Sequence, residues 1–578
     1  MKDKKIIILS IVGVLLLVSI VVATSYAYFV ANVSGNKDTN NVVITNGVMA
    51  LEYSDGDEIT LANAVPGNSV SKTFTVKNTG NVSTNYTIYF SELSNKFVDK
   101  ADLVYTLTSS DGGKNVAQTQ VPSTNDAMVS NYAIDAGKTH TYTLTITFLD
   151  KDENQDDNQG VSFSTKVSIN ETKEYVETKY IDNVIAEAPE LAQGMIPVKF
   201  DDAGNAVVAD TSSKWYDYSN HEWANAVLVN CADNAIKSKY FDSNNRVLAS
   251  AVGKTISMDE IMQMYVYIPR YKYQLFNAED GTSVEQAINI TFESKTTSKS
   301  TGTKNGEWLT HPAFTFGDKE LAGIWVGKFE TSNTKELPKI VPNVSSLRWV
   351  SVSSQFNTSR LMTTTLTSTY GTSTNDDSHM MKNMEWGAVA YLSSSIYGRY
   401  TNASTCIESG CEVWINNNKN YTTGCAGSSV SASSASTCNA WNTAIGVNAS
   451  TTGNIYGIYD MSGGAWEYVM GNYNDTIYNA GFSSMPEAKY YDKYTGIDSE
   501  YDFTKYHLGD ATKETLKTKS SGSSSWYGDY SLAVYSSSPW VKRGGGYDSS
   551  TAAGVFGFYT CDGGGFGSDS FRVVLGTL

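Results

Sequence analysis

Two short stretches, Thr73-Phe74-Thr75-Val76 and Thr141-Tyr142-Thr143-Leu144-Thr145-Ile146, set threonine against a large apolar side chain at every second position. A period of two gives one polar and one apolar face only in extended backbone, so both read as strands with a single buried face. Around them lie further strand-like runs at Val42-Val43-Ile44, Ser71 to Val76, Tyr86 to Phe90, Thr139 to Phe148 and Val161 to Ile169. Turn clusters such as Asn78-Thr79-Gly80-Asn81 and the acidic loop Asp150 to Gly160 separate them. The segment 28–172 is therefore expected to be a two-sheet β-sandwich.

Composition extends that reading to the whole chain of 578 residues. Only 18% of side chains are charged, and short polar residues and tyrosine fill the remaining surface, which suits turn-rich β structure. The length allows two to four domains. Acidic residues outnumber basic ones, 60 to 43, for a net charge of −17. A phosphate backbone would meet a repulsive field, which excludes nucleic acid as a partner. The five histidines, His140, His221, His311, His379 and His507, are scattered with no HExxH and no close pair, so a histidine-built metal or catalytic centre has little support.

Lys2, Lys4 and Lys5 precede the apolar run Ile6 to Ala23, which is followed by small residues at Ser25 and Ala27. This is the layout of an export signal over 1–27, cut after Ala27 or retained as a membrane anchor. No LPxTG-type sorting sequence is found. Secretion or surface display in a Gram-positive-type bacterium follows, and with it an oxidising compartment for six cysteines. Cys406 with Cys411 and Cys425 with Cys438 are the candidate bridges. A four-cysteine zinc site would want CxxC knuckles, which the sequence lacks. Cys231 and Cys561 remain, either paired with each other or free.

The signal ending Tyr26-Ala27-Tyr28-Phe29 and the run Pro66 to Asn81 resemble the camelysin and TasA-type fibre proteins of Gram-positive surfaces. That resemblance covers residues 1–172 and implies surface display and self-assembly through the sandwich; an Ig-like spacer is the alternative. Peptidase chemistry is not carried over, because His140 is the one histidine of the segment. Residues 173–195, with Glu174, Glu177, Glu187 and Glu190, read as an acidic helical linker. The remaining residues, 196–578, form the second unit, in which the polar tracts Ser294 to Asn305 and Lys517 to Ser525 read as loops.

Four segments of this unit carry information. Ala322 to Glu330 reads as a buried strand, and Lys382 to Tyr391 has helical apolar spacing. Then come Gly453-Asn454-Ile455-Tyr456-Gly457-Ile458-Tyr459-Asp460-Met461-Ser462-Gly463-Gly464-Ala465-Trp466-Glu467 and Val541-Lys542-Arg543-Gly544-Gly545-Gly546-Tyr547, with Phe571-Arg572 closing the set. Their order and spacing resemble the formylglycine-generating enzyme (sulfatase-modifying factor) family, whose pattern runs G-N-V-x-G-L-x-D-M-x-G-N-V-W-E-W, then R-G-G-S-W, then G-F-R. The resemblance implies an α+β domain of C-type-lectin-like fold, within a chain that is mainly β. The family's oxidase members use a copper-binding cysteine pair after R-G-G, and here Tyr547 to Ser570 holds only Cys561. The three-histidine iron site of ergothioneine-type members is also missing, so the expectation is a protein without enzyme activity. A structural calcium ion on Glu467 is half supported, since the family's Asn two residues before Trp466 is Gly464; the alternative is a buried, hydrogen-bonded carboxylate.

From Gly544 to Phe571 there is no Lys, Glu, Gln, Met, Trp or Asn, and every residue can be written with a codon ending in a pyrimidine. Random substitution at the adenines of AAC or AAT codons would leave this signature. The frame Arg543-Gly544-Gly545-Gly546-Tyr547 … Phe571-Arg572 resembles the variable proteins of diversity-generating retroelements, which vary a surface near the carboxyl terminus of a lectin-like fold. The ligand-contacting side chains implied are Tyr547, Asp548, Ser549, Ser550, Phe558, Tyr559, Thr560, Cys561, Asp562, Phe566, Ser568 and Asp569. Tyr527, Tyr530, Tyr535 and Trp540 extend that aromatic surface. Tyr, Ser, Gly and Asp make adaptable binding surfaces, and the partner expected is a protein or glycan ligand. The competing readings are an oxidase using Cys561 with Cys231, and a matrix fibre subunit carrying a passenger domain.

Overall fold

The computed structural model describes residues 32–34, 51–54, 59–79, 84–172, 179–242, 245–279, 281–400, 411–519 and 524–577. The export signal, the strand expected at Val42 to Ile44, and Cys406 lie outside them. The chain is mainly β, with 34% strand and 14% helix, and divides into two compact units, residues 1–177 and 178–578. No helix among the described residues is long and apolar enough to cross a membrane.

The first unit holds two five-stranded sheets, all of whose pairings are antiparallel. Thr139–Phe148 is central to one of them, between Ser69–Asn78 and Leu103–Ser109, and its even-numbered residues are buried without exception. Phe74, Val76, Tyr142, Leu144 and Ile146 of this sheet share one apolar cluster with Tyr86, Ile88, Phe90, Val167 and Ile169 of the other. The alternating threonines therefore do what their period requires: they keep one face polar while the other closes the core. Strands Leu103–Ser109, Val116–Gln120 and Ala127–Ile134 were not legible in the sequence.

Residues 179–195, expected as part of a helical linker, carry no helix and pack into the second unit. Ile185 and Ala192 join its core, the backbone oxygen of Glu190 accepts the Trp325 indole N–H at 2.7 Å, and Glu190 pairs with Lys295. Glutamates placed for an exposed helix are used instead as partners for groups on the unit's flank.

Two sheets organise the second unit. A seven-stranded sheet runs in the order Ala206–Val208, Ile196–Phe200, Asn225–Val229, Ile261–Pro269, Gly323–Gly327, Val573–Gly576, Asp377–Met380. Its three central strands, Asn225–Val229, Ile261–Pro269 and Gly323–Gly327, are buried along their whole length, as continuous apolar runs predict. The helix Asn383–Ser393 is likewise buried at every residue. The smaller sheet orders Asp492–Tyr494, Trp466–Tyr473, Trp540–Gly544 and Gly554–Cys561, with Asp569–Phe571 also paired to Trp466–Tyr473. The chain leaves this sheet at Phe571 and enters the larger one at Val573, so Arg572 sits at the junction.

Candidate functional site

The smaller sheet carries the segment singled out above. Gly554–Cys561 pairs with Trp540–Gly544 through Arg543↔Phe558 and then Gly544↔Gly554, so Val555, Phe556 and Gly557 bulge out of register. Residues outside the segment grip this bulge by its backbone. The Trp386 indole donates to the Val555 oxygen at 2.8 Å, and the buried Arg543 guanidinium reaches the same oxygen and that of Ala511. The Asp529 carboxylate accepts the Phe556 N–H at 2.9 Å. Burial holds the Asp529 carboxyl well above the ordinary carboxylate range.

Arg572 anchors the end of the segment. Its guanidinium, fully buried, donates to both oxygens of Glu467, at 3.1 and 2.5 Å, and to the backbone oxygens of Gly327 and Tyr459 at 2.7 and 2.9 Å. Glu467, the residue considered for calcium, is thus a fully buried ion-pair partner with both oxygens engaged. Among the described residues no three His, Cys, Asp or Glu side chains gather as a metal site would require. Position 464, where the resemblance would want Asn, has no room for a side chain. Gly464 has φ +72°, and a Cβ there would lie 2.4 Å from Oε1 of Glu330, the atom that accepts the Ala465 N–H at 2.8 Å. The Glu330 carboxyl fills the space beside position 464 and is itself pushed well up by burial and by Asp460 and Glu467.

The twelve expected contact residues separate by depth. Asp548 and Phe566 are exposed; Tyr547, Ser549, Ser550, Tyr559, Cys561, Asp562 and Ser568 are half-buried at the surface. Phe558, Thr560 and Asp569 are buried, which removes them from the presented face. Phe558 points inward because its strand alternates: its ring packs 5.8 Å from Phe503 and 5.7 Å from Tyr506. Asp569 forms a buried ion pair with Lys542 at 3.2 Å. Lys542 in turn lies 5.4 Å from the ring centroids of both Trp466 and Tyr559. Of the proposed extensions, Tyr530 is exposed and stacks edge-on with Tyr559 at 5.3 Å, whereas Trp540 is fully buried.

Three residues that sequence reasoning did not assign to this face complete it. Trp466 is half-buried and lies 5.5 Å from Tyr559. Tyr421 meets Tyr547 at 4.8 Å, and the Arg348 guanidinium lies 3.8 Å over Tyr421. Neither Tyr421 nor Arg348 sits in any recognisable motif, so only tertiary contact reveals them. Burial raises the Tyr421 hydroxyl, with Tyr547 adding to the shift and Arg348 opposing it.

Of the cysteines, Cys425 and Cys438 form the expected bridge, and Cys411 is disulfide-bonded. Cys231 and Cys561 are free. Cys231 is buried, its sulfur placed 2.7 Å from where a Cβ on Gly371 would stand, and burial pushes its thiol up to about 11. Cys561 lies at the end of its strand, opposite Trp540.

No family model matches the chain, and no curated protein matches it. Among solved structures, a ruminal GH26 endo-β-1,4-mannanase aligns with 28% of this chain at 14% identity and a TM-score of 0.14. The alignment spans 31% of that protein's length, and a likeness of this degree carries no argument.

Proposed function

We propose that the chain is an exported bacterial surface protein that binds a ligand without turning it over. In this reading the first unit is a camelysin/TasA-like or Ig-like β-sandwich that displays or polymerises. The second is a formylglycine-generating-enzyme-like, C-type-lectin-like domain whose carboxyl-terminal face is diversified. The observation that carries the reading is the contrast within 544–571. The backbone of this segment is gripped by buried residues outside it, Trp386, Arg543 and Asp529, while Tyr547, Asp548, Tyr559 and Phe566 reach the surface. A segment held by its main chain can change its exposed side chains without losing its place.

Export, surface location and possession of a protein or glycan partner belong to the same proposal, as does a signal retained as anchor. An oxidase reading needs Cys231 and Cys561 to act together, and burial of Cys231 in a thiol-suppressing site favours binding over chemistry. Sequencing the codons for 540–575 across one culture and its close relatives tests diversification: changes confined to template adenines support it, and an invariant segment argues against it. Conversion of a substrate cysteine to formylglycine by the purified protein with copper would overturn the non-enzymatic reading.

A further inference from the structure

Six rings follow one another along the carboxyl-terminal face: Trp349, Tyr421, Tyr547, Trp466, Tyr559 and Tyr530. The links are physical. Trp349 lies against Gly567, whose backbone oxygen also holds Arg348; Arg348 covers Tyr421, and Tyr421 meets Tyr547. Gly546, next in the chain to Tyr547, abuts Trp466, which continues to Tyr559 and Tyr530.

Trp349 is the unusual member. It is 73% exposed, yet it is held in a left-handed backbone conformation, φ +65°, that bulky residues rarely adopt. Its N–H donates to the Phe566 oxygen at 3.0 Å. A Cβ on Gly567 would come within 2.3 Å of its ring, so bare backbone is required beneath the indole. Tyr421 and Ser550, on the same face, also have positive φ, +56° and +51°. Backbone strain kept in place by neighbouring structure is a mark of sites under functional constraint. A large indole fixed at this cost, one side on glycine and the other in solvent, is a flat platform.

The chemistry of the row limits what can lie on it. Two cations border it, Arg348 and Lys542. Lys542 is buried and spent on Asp569, while Arg348 lies over Tyr421 with one nitrogen on the Gly567 oxygen. No hydrogen bond among the described residues takes up the hydroxyls of Tyr421, Tyr530, Tyr547 and Tyr559, or the indole N–H of Trp349 and Trp466. Apolar ring faces edged with free neutral donors match a ligand with flat C–H surfaces edged by hydroxyls. We infer that Trp349 is a fixed stacking platform for a neutral glycan, lying outside the diversified segment and shared by all of its variants. The inference rests on the ligand-binding reading above.

The test titrates the full chain with cellohexaose, chitohexaose and laminarihexaose by calorimetry, alongside Trp349→Ala, Gly567→Ala and Tyr547→Ala. At least one oligosaccharide is expected to bind saturably. Trp349→Ala should weaken it by about tenfold or more with an unchanged melting temperature, because the ring is mostly in solvent; Gly567→Ala should weaken it by displacing the indole. Binding that survives Trp349→Ala but is lost in Tyr547→Ala overturns the platform and leaves the binding face standing. No binding of any oligosaccharide by the wild type overturns the glycan assignment. So does a protein ligand captured in a Tyr547-dependent manner, an outcome that preserves the proposed function. Oligosaccharide binding indifferent to both Trp349 and Tyr547 would refute the inference and the proposed site together.

Discussion

His379 should make the stability of the second unit pH-dependent above neutrality. The imidazole is fully buried, stacked on Phe316 at 4.8 Å, with Nδ1 2.9 Å from Asp377 and Nε2 2.9 Å from Glu385. Burial alone would lower its pKa, but Glu385 and Asp377 together outweigh it and raise the value from 6.5 to about 9. A group whose folded pKa is raised contributes stability that is complete below the unfolded value and is lost as pH rises through the folded one. The window is therefore pH 6.5 to 9. At about 1.4 kcal/mol per pH unit, the full difference comes to about 3 kcal/mol. His379→Gln removes the titration and leaves Asp377 to Arg360 and Glu385 to Lys382 alone, a loss of about 3 kcal/mol at pH 6. All 11 tryptophans lie between Trp215 and Trp540, so urea unfolding followed by tryptophan emission reports on this unit alone. Wild-type midpoints should fall from pH 6.5 to 9 while those of His379→Gln stay level by comparison. A wild-type curve flat across that window, or an equal slope in the variant, would refute the argument.

Arg572→Met should cost about 3–5 kcal/mol by the same emission-monitored unfolding, since it strands the buried carboxylate of Glu467. Phe558→Ala and Tyr559→Ala, adjacent in sequence, should differ in kind. The first empties a core site for about 3–5 kcal/mol; the second costs about 1 kcal/mol, the worth of its ring contacts, and shows its effect in ligand binding. Replacing Cys425 and Cys438 by serine opens a bridge of sequence separation 13 and should lower stability by about 3 kcal/mol, read as a fall in melting temperature against the wild type under oxidising conditions.

The sequence made some of this legible and not the rest, for physical reasons. A period of two is local, so Thr139–Phe148 was bounded to the residue, and the buried strand Gly323–Gly327 and helix Asn383–Ser393 followed from unbroken apolar spacing. Val116–Gln120 escaped because four of its five residues are exposed and it has no apolar face to betray it. At the candidate face, composition marked a segment but could not assign depth. Phe558 and Tyr559 are both aromatic, and only the direction of the strand decides which one meets solvent. Trp349, Arg348 and Tyr421 were invisible because nothing local distinguishes a strained, exposed tryptophan from a buried one.

Depth limits how such a face can vary. Three contacts that position 544–571 end on its backbone: at Val555 O, at the Phe556 N–H, and at the Gly567 oxygen held by Arg348. Main-chain groups are common to all residues, so these contacts survive exchange of Tyr547, Asp548 or Tyr559. Phe558 and Asp569 are different, because one fills the core and the other neutralises a buried lysine. Substitution there would cost folding free energy that surface positions do not. If the segment is diversified, tolerated changes should follow depth and not the codon signature alone: free at Asp548 and Phe566, and confined to apolar residues at position 558. Sequenced variants that carry charged residues at 558 in stable protein would show that depth does not govern variation.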